Sequence, residues 1–150
     1  MDPSPACLSL IKRSERCRLL SYQDSGGTWT VGWGHTGIDV GKHMTITQAW
    51  ADWLLGQDVK KAAKAVLTLT AGVNLTQGQL DALTDFVFNE GAGRLEGSTL
   101  LKLFKAGDVQ GAAAEFLRWD YERANGQEEQ DAELEARRRA EQTLFLGRGA

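Results

Sequence analysis

Apolar residues recur every three or four positions along most of this chain, and the exception is one short stretch near its start. Ser4-Pro5 pairs a capping residue with a first-turn proline, and Leu8, Leu10 and Ile11 follow, so a helix is predicted from about Pro5 to Ser14 or Glu15. The period then changes. In LLSYQDSGGTWTVGWGHTG, two segments rich in aromatic and β-branched residues flank Asp24-Ser25-Gly26-Gly27, the composition of a β-hairpin turn. Alternation puts Trp29, Val31 and Trp33 on a core face. It leaves Thr28, Thr30, Gly32 and Gly34 on a nearly bare face, against which a flat ligand could lie.

Helical spacing resumes after Thr45-Ile46-Thr47. Trp50, Trp53, Leu54, Val59 and Val66 predict one or two helices over about 46–68, with Gly56 the weak point. Thr76 and Gln79 form a capping box for a helix that carries Leu80, Leu83, Phe86 and Val87 and stops near Gly91. Ser98 caps a helix ending at Gly107, and Asp108 caps another that carries Phe116 and Trp119. The run EEQDAELEARRRAEQ reads as helical because Glu135 and Arg139, and Arg137 and Glu141, stand four apart. All five tryptophans read as core or partly buried residues. The sum is an α+β fold, predominantly helical, with one small hairpin near the N-terminus.

Composition changes this picture little. A chain of 150 residues fits one domain, and 42% hydrophobic with 25% charged residues excludes a disordered or fibrous protein. No apolar run approaches the ~18 residues of a membrane span. MDPSPACLSLIKR lacks the basic start and apolar run of a signal peptide, so a soluble cytoplasmic origin without membrane insertion is expected. Net charge is −3: residues 1–43 carry five Lys/Arg against four Asp/Glu, and residues 74–150 carry nine against fourteen. A nucleic-acid binder would be basic, so no nucleic-acid partner is expected. Cys7 and Cys17 are expected as free thiols in that compartment. With only His35 and His43 beside them, no metal site and no cofactor are expected.

Glu15 falls where the first helix ends and Asp24 falls in the hairpin turn, so two carboxylates approach one groove from different elements. Thr30 follows on the bare face. Paired carboxylates beside a groove suit glycosidic bond cleavage, one protonating the leaving oxygen and the other supporting the attacking group. Plainer roles fit the same residues: Glu15 as a surface ion pair with Arg18, Asp24 as a turn former, Thr30 as a strand residue.

The series Glu15-x8-Asp24-x5-Thr30, continuing V-G-W-G-H-T, resembles the E-x8-D-x5-T-[IV]-G-x-G-H motif of the phage-type lysozyme or endolysin family. MTITQAWADWLLGQDV looks like that family's inter-lobe helix, LDALTDFVFNEGAG like its F-N-x-G segment, and STLLKLFKAGD like the helix that follows. AAAEFLRW and RRRAEQTLFLG are similar to its C-terminal end. The resemblance implies a lysozyme-like fold of two lobes: an N-terminal α/β lobe over about 1–45, an inter-lobe helix over 46–70 and a helical lobe over 71–150. It implies a monomeric muramidase acting on bacterial peptidoglycan, with Glu15 as general acid and Asp24 and Thr30 handling the water. Cleavage would invert the anomeric centre, with carboxyl groups ~6.5 to 9.5 Å apart. Thr36, Phe88, Asn89 and Ser98 would line the cleft. His35 would be structural and paired with Asp58, and an Arg of the 137–139 cluster would reach back to Glu15. Release to the wall would require a separate pore-forming protein.

Two departures stand out, and they would also suit an artificial or heavily diverged member. Ser14-Glu15-Arg16 replaces the family's aromatic-E-G. The missing aromatic would cost ~2 kcal/mol if that position is interior, and Arg16 would cost ~1 kcal/mol if the chain turns left-handed there. Glu133 stands where a glycine is usual, which predicts a longer, acidic last helix. The rivals are a lytic transglycosylase on the same bond, a catalytically silent peptidoglycan-binding module and, last, a DNA-binding helix in EARRRAEQ.

Overall fold

The computed structural model describes residues 1–124 and 127–148, with 121–124 and 127–130 described by their backbone alone. Helix α1 (Pro5–Ser14) begins where the Ser4 hydroxyl accepts the Ala6 N–H. It ends as Glu15 swings into extended backbone, φ −102° and ψ 151°. No left-handed residue follows, so Arg16 brings no backbone strain, and Ser14 is exposed, so no buried aromatic is missed there.

Strands β1 (Arg18–Gln23), β2 (Trp29–Gly32) and β3 (His35–Thr36) form an antiparallel sheet in that order. Asp24 builds the turn, because its Oδ1 accepts the N–H groups of Gly26 and Thr28, both at 2.9 Å. The glycine face is not open to a ligand. A Cβ on Gly32 would lie 3.3 Å from the Cβ of Ala51 and 3.5 Å from Ile46. One on Gly34 would lie 3.4 Å from Glu15 Oε2. What the missing side chains admit is a helix and a carboxylate of the same chain.

Helix α2 (Gln48–Leu69) runs unbroken through Gly56. Its successive turns serve three cores: Ala51 and Leu54 join Val31, Val40 and Ile46 under the sheet, Leu55 and Val59 join Cys7 and Ile11, and Ala62 and Val66 enter the large helical core. That core is built on α3 (Gln77–Glu90), α4 (Ala92–Glu96), α5 (Thr99–Lys105), α6 (Val109–Glu115) with a 3-10 turn at Phe116–Trp119, and α7 (Ala132–Phe145). Rings of Phe86, Phe116, Phe145 and Phe104 meet edge to face through it. The capping residues Ser4, Thr47, Thr76, Ser98 and Asp108 each accept a backbone N–H of the turn they open.

Three expectations are corrected. The acidic run is not all helix: backbone strands β4 (Tyr121–Ala124) and β5 (Gln127–Gln130) pair antiparallel, and Asp131 starts α7 by accepting the N–H groups of Glu133 and Leu134. A side chain that caps this well fixes the helix start against a favourable charge pattern. Arg137 does not pair with Glu141; Arg138 Nε does, at 3.3 Å. Trp50 and Trp53 are 46% and 52% exposed and stack with centroids 4.8 Å apart, because α2 turns Ala51 and Leu54 inward instead. Helix α1 also docks on α3: Ser4 N–H and Oγ both donate to the Asp81 carboxylate, and Cys7 Sγ donates to the Asp81 carbonyl at 3.6 Å.

Candidate active site

Glu15 sits at the point where α1 stops. Its backbone N–H still donates to Ile11 O at 2.8 Å, so the first extended residue is anchored to the helix. Its side chain is held from two directions. Gly34, φ +84°, presents bare backbone to Oε2, and Arg137 Nη1 donates to Oε1 at 2.8 Å. Arg137 is buried in α7, and its Nε and Nη2 grip both oxygens of the buried Asp85 at 2.9 and 2.8 Å. Burial alone would weaken the guanidinium's hold on its proton, but hydrogen bonds and charges from Asp85 and Glu15 outweigh it and raise its pKa. The surface pair with Arg18 does not form; Arg18 lies over the Tyr22 ring at 4.2 Å.

An open cleft of about 1360 Å³ brings Glu15, Asp24, Asn89 and Ser98 together, Asp24 reaching it from the hairpin turn. Thr30, Thr36 and Phe88 are not among its lining residues. Thr30 is buried on β2, opposite Tyr22 and Thr36, with its hydroxyl donating to Thr28 O at 3.0 Å. Phe88 is half-buried between the helical core and the α1–α2 cluster. Ser98 is occupied as a cap: it donates to Leu95 O at 2.6 Å and accepts the Leu101 N–H at 3.0 Å.

The cleft is acidic overall. Glu15, Asp24, Glu90, Glu115, Asp131 and Glu133 line it against Arg94, Arg118 and Arg137, and each arginine already faces a carboxylate. Such a surface offers carboxylates and amides to hydroxyl and amide groups, and it has no unengaged cation among the described residues to attract an anion.

His35 stands on β3, opposite Val31, its Nδ1 2.7 Å from Asp58 and its Nε2 2.9 Å from Asp39. Burial disfavours the imidazolium, yet the hydrogen bonds to Asp58 and Asp39 and their charges prevail and raise its pKa. Asp39 is correspondingly lowered, first by its bond to His35. Asp39 was not legible as a partner, because it follows in an irregular segment whose path the spacing does not define.

Behind Glu15 and Asn89 lies a buried polar layer. Burial, then the neighbouring Asp85 carboxylate, pushes the Glu141 carboxyl well above the usual range. Burial followed by the charges of Asp85 and Asp81 also pushes the Cys7 thiol up, which makes it unreactive. Arg138, fully buried, lies over the Phe86 ring at 5.0 Å, and its Nη2 donates to Asn89 Oδ1. Asp85 and Arg138 lie within segments that resemble the family, but sequence reading gave Asp85 no role and did not separate Arg138 from its two neighbours; a charge predicted to face a helical core is the signal that could have found Asp85.

Similarity to known proteins runs the length of the chain. The phage lysozyme family profile matches residues 12–141. The endolysin of Acyrthosiphon pisum secondary endosymbiont phage 1 is 42% identical over 146 residues, covering 97% of this chain and 98% of that one. The muramidase domain of SpmX from Asticaccaulis excentricus superposes with a TM-score of 0.87 at 36% identity, covering 95% and 96%. A mutant lysozyme of phage P22 superposes with a TM-score of 0.80 at 37% identity, covering 97% and 99%. Some relatives are longer: the chain spans about half (54%) of the endolysin of Bacillus phage B103.

Proposed function

The chain belongs to the phage lysozyme family, and from that premise we propose that it is a muramidase of the endolysin type, a glycoside hydrolase that cuts peptidoglycan between N-acetylmuramic acid and N-acetylglucosamine. The observation that carries this reading is the fixed Glu15 carboxyl sharing one cleft with Asp24. Glu15 protonates the glycosidic oxygen as the bond breaks. The carboxylate that remains is met at once by Arg137 Nη1, already 2.8 Å away, so the new charge needs no reorganisation. Asp24, held by two turn N–H groups, orients the attacking water from the opposite face of the sugar. Attack from that face inverts the anomeric centre. Asn89 addresses the saccharide around the scissile bond, Ser98 caps α5 at the cleft wall, and Phe88 backs that wall. His35 and Asp58 keep the sheet in place and take no part in chemistry. The enzyme acts as a monomer on the wall after release from the cytoplasm.

Clearing of purified cell walls by the parent chain and its loss in Glu15→Gln is the direct test. Wall binding without clearing by the parent chain would replace the enzyme with a binding module. Anhydro ends among the products would replace the hydrolase with a lytic transglycosylase, and the anomer first formed, read by proton NMR, decides inversion.

A further inference from the structure

The muramidase reading leaves Arg138 without a role, although the chain keeps this guanidinium fully buried in α7. Three contacts define it: the face of Phe86 at 5.0 Å, Glu141 Oε2 at 3.3 Å from Nε, and the hydrogen bond from Nη2 to Asn89 Oδ1. Because the guanidinium is a cation, the bond to Asn89 is a charge-assisted one reaching from the interior to the edge of the cleft.

An arginine can only donate, so the amide of Asn89 has one possible orientation: oxygen inward, nitrogen away from Arg138. The two ends of a planar amide point apart, Arg138 lies wholly inside, and Asn89 lines the cleft half-buried. The Asn89 nitrogen therefore faces the cleft, and among the described residues it makes no hydrogen bond that would occupy it. We propose that Arg138 is a positioning residue that locks Asn89 as a pure donor, so that this subsite selects a carbonyl acceptor, the 2-acetamido oxygen of the glycan. Left unlocked, the amide could flip and accept from a hydroxyl or amine equally well. The selection rests on the muramidase reading, because it names what that same cleft recognises.

The test compares soluble glycan oligomers of the wall, N-acetylated and chemically N-deacetylated, on the parent chain, Asn89→Asp, Asn89→Ala, Arg138→Met and the double variant Asn89→Ala/Arg138→Met. Asn89→Asp keeps an oxygen for Arg138 and removes the donor; with Asn89 at the surface, it keeps the inference testable even where Arg138→Met fails to fold. The parent prefers the acetylated oligomer. Asn89→Asp raises KM for it about five- to tenfold with kcat little changed, the size of one lost hydrogen bond, and loses the preference. Folded Arg138→Met does the same, and adds nothing in the Asn89→Ala background. Unchanged KM and preference in Asn89→Asp or folded Arg138→Met, with the parent active, would overturn the inference and leave the muramidase reading standing. A parent that cleaves neither oligomer nor wall would overturn the muramidase reading and this inference with it.

Discussion

Arg137 reaches Glu15 across 122 positions of sequence and holds it at 2.8 Å with one nitrogen, while its other two nitrogens close on Asp85. One guanidinium thereby ties the end of α1 to α3 and α7. Arg137→Met is expected to strand the buried Asp85 charge and cost ~3 to 5 kcal/mol in denaturant titration. Adding Asp85→Leu restores much of that stability and none of the wall clearing, because Glu15 still lacks its cation. Recovery of clearing in the double variant would show that Arg137 matters for stability alone.

Asp24 has two duties that one atom separates. Asn at this position keeps an oxygen for the Gly26 and Thr28 N–H groups but carries no charge. Asp24→Asn is therefore expected to stay within ~0.5 kcal/mol of the parent and to clear walls at least ~100-fold more slowly. Asp24→Ala should lose the turn contacts as well, visible as a lower melting temperature.

The raised pKa of His35 fixes the sign of a pH effect. Its ion pairs with Asp58 and Asp39 contribute fully below the ordinary histidine value of ~6.5, provided both carboxylates stay ionised, and the contribution fades as pH rises through the raised folded value. The melting temperature gap between the parent and His35→Asn should be wide near pH 5.5 and narrow near pH 8.5, with clearing at neutral pH retained per folded molecule. Loss of clearing in a variant of full stability would move His35 into the chemistry.

Gly34 and Gly72 both have left-handed backbone, φ +84° and +86°, yet a Cβ on Gly34 would meet Glu15 whereas one on Gly72 would meet nothing within 4 Å. Alanine at either position is expected to cost ~1 kcal/mol of stability from backbone strain. Only Gly34→Ala should slow clearing, because its strained backbone lies in direct contact with the Glu15 carboxyl. Equal clearing by the two variants would mean that Glu15 tolerates the shift.

What the sequence made legible was local. Ser4, Thr76, Ser98 and Asp108 cap the helices they were expected to open, and Asp24 to Gly27 form the turn, because a cap or turn is decided within four residues. Glu15, Asp24, Asn89 and Ser98 line one cleft, whereas Thr30, Thr36 and Phe88, named from the same resemblance, do not. What stayed hidden was long-range or depended on which way a helix faced. Three consecutive arginines on α7 point in three directions: Arg137 to Glu15, Arg138 to Asn89, Arg139 to Glu135 on the helix surface. The four-residue spacing reported Arg139 to Glu135, but the inward directions of Arg137 and Arg138 are fixed by packing against α3, which no local pattern reports. The glycine face misled for a related reason, since absent side chains show that something approaches without saying what. Arg16 looked costly for want of a backbone angle: Glu15 is already extended when the helix ends.

The span between Glu15 and Arg137 also sets an order of events during synthesis. A nascent chain that has emerged only as far as α6 has its acid, its turn carboxylate and most of its hydrophobic core, but Glu15 has no guanidinium to meet and Asp85 no countercharge. The Glu15–Arg137 pair is completed when the last helix docks, so under the proposed mechanism lytic capacity arrives as the final step of folding.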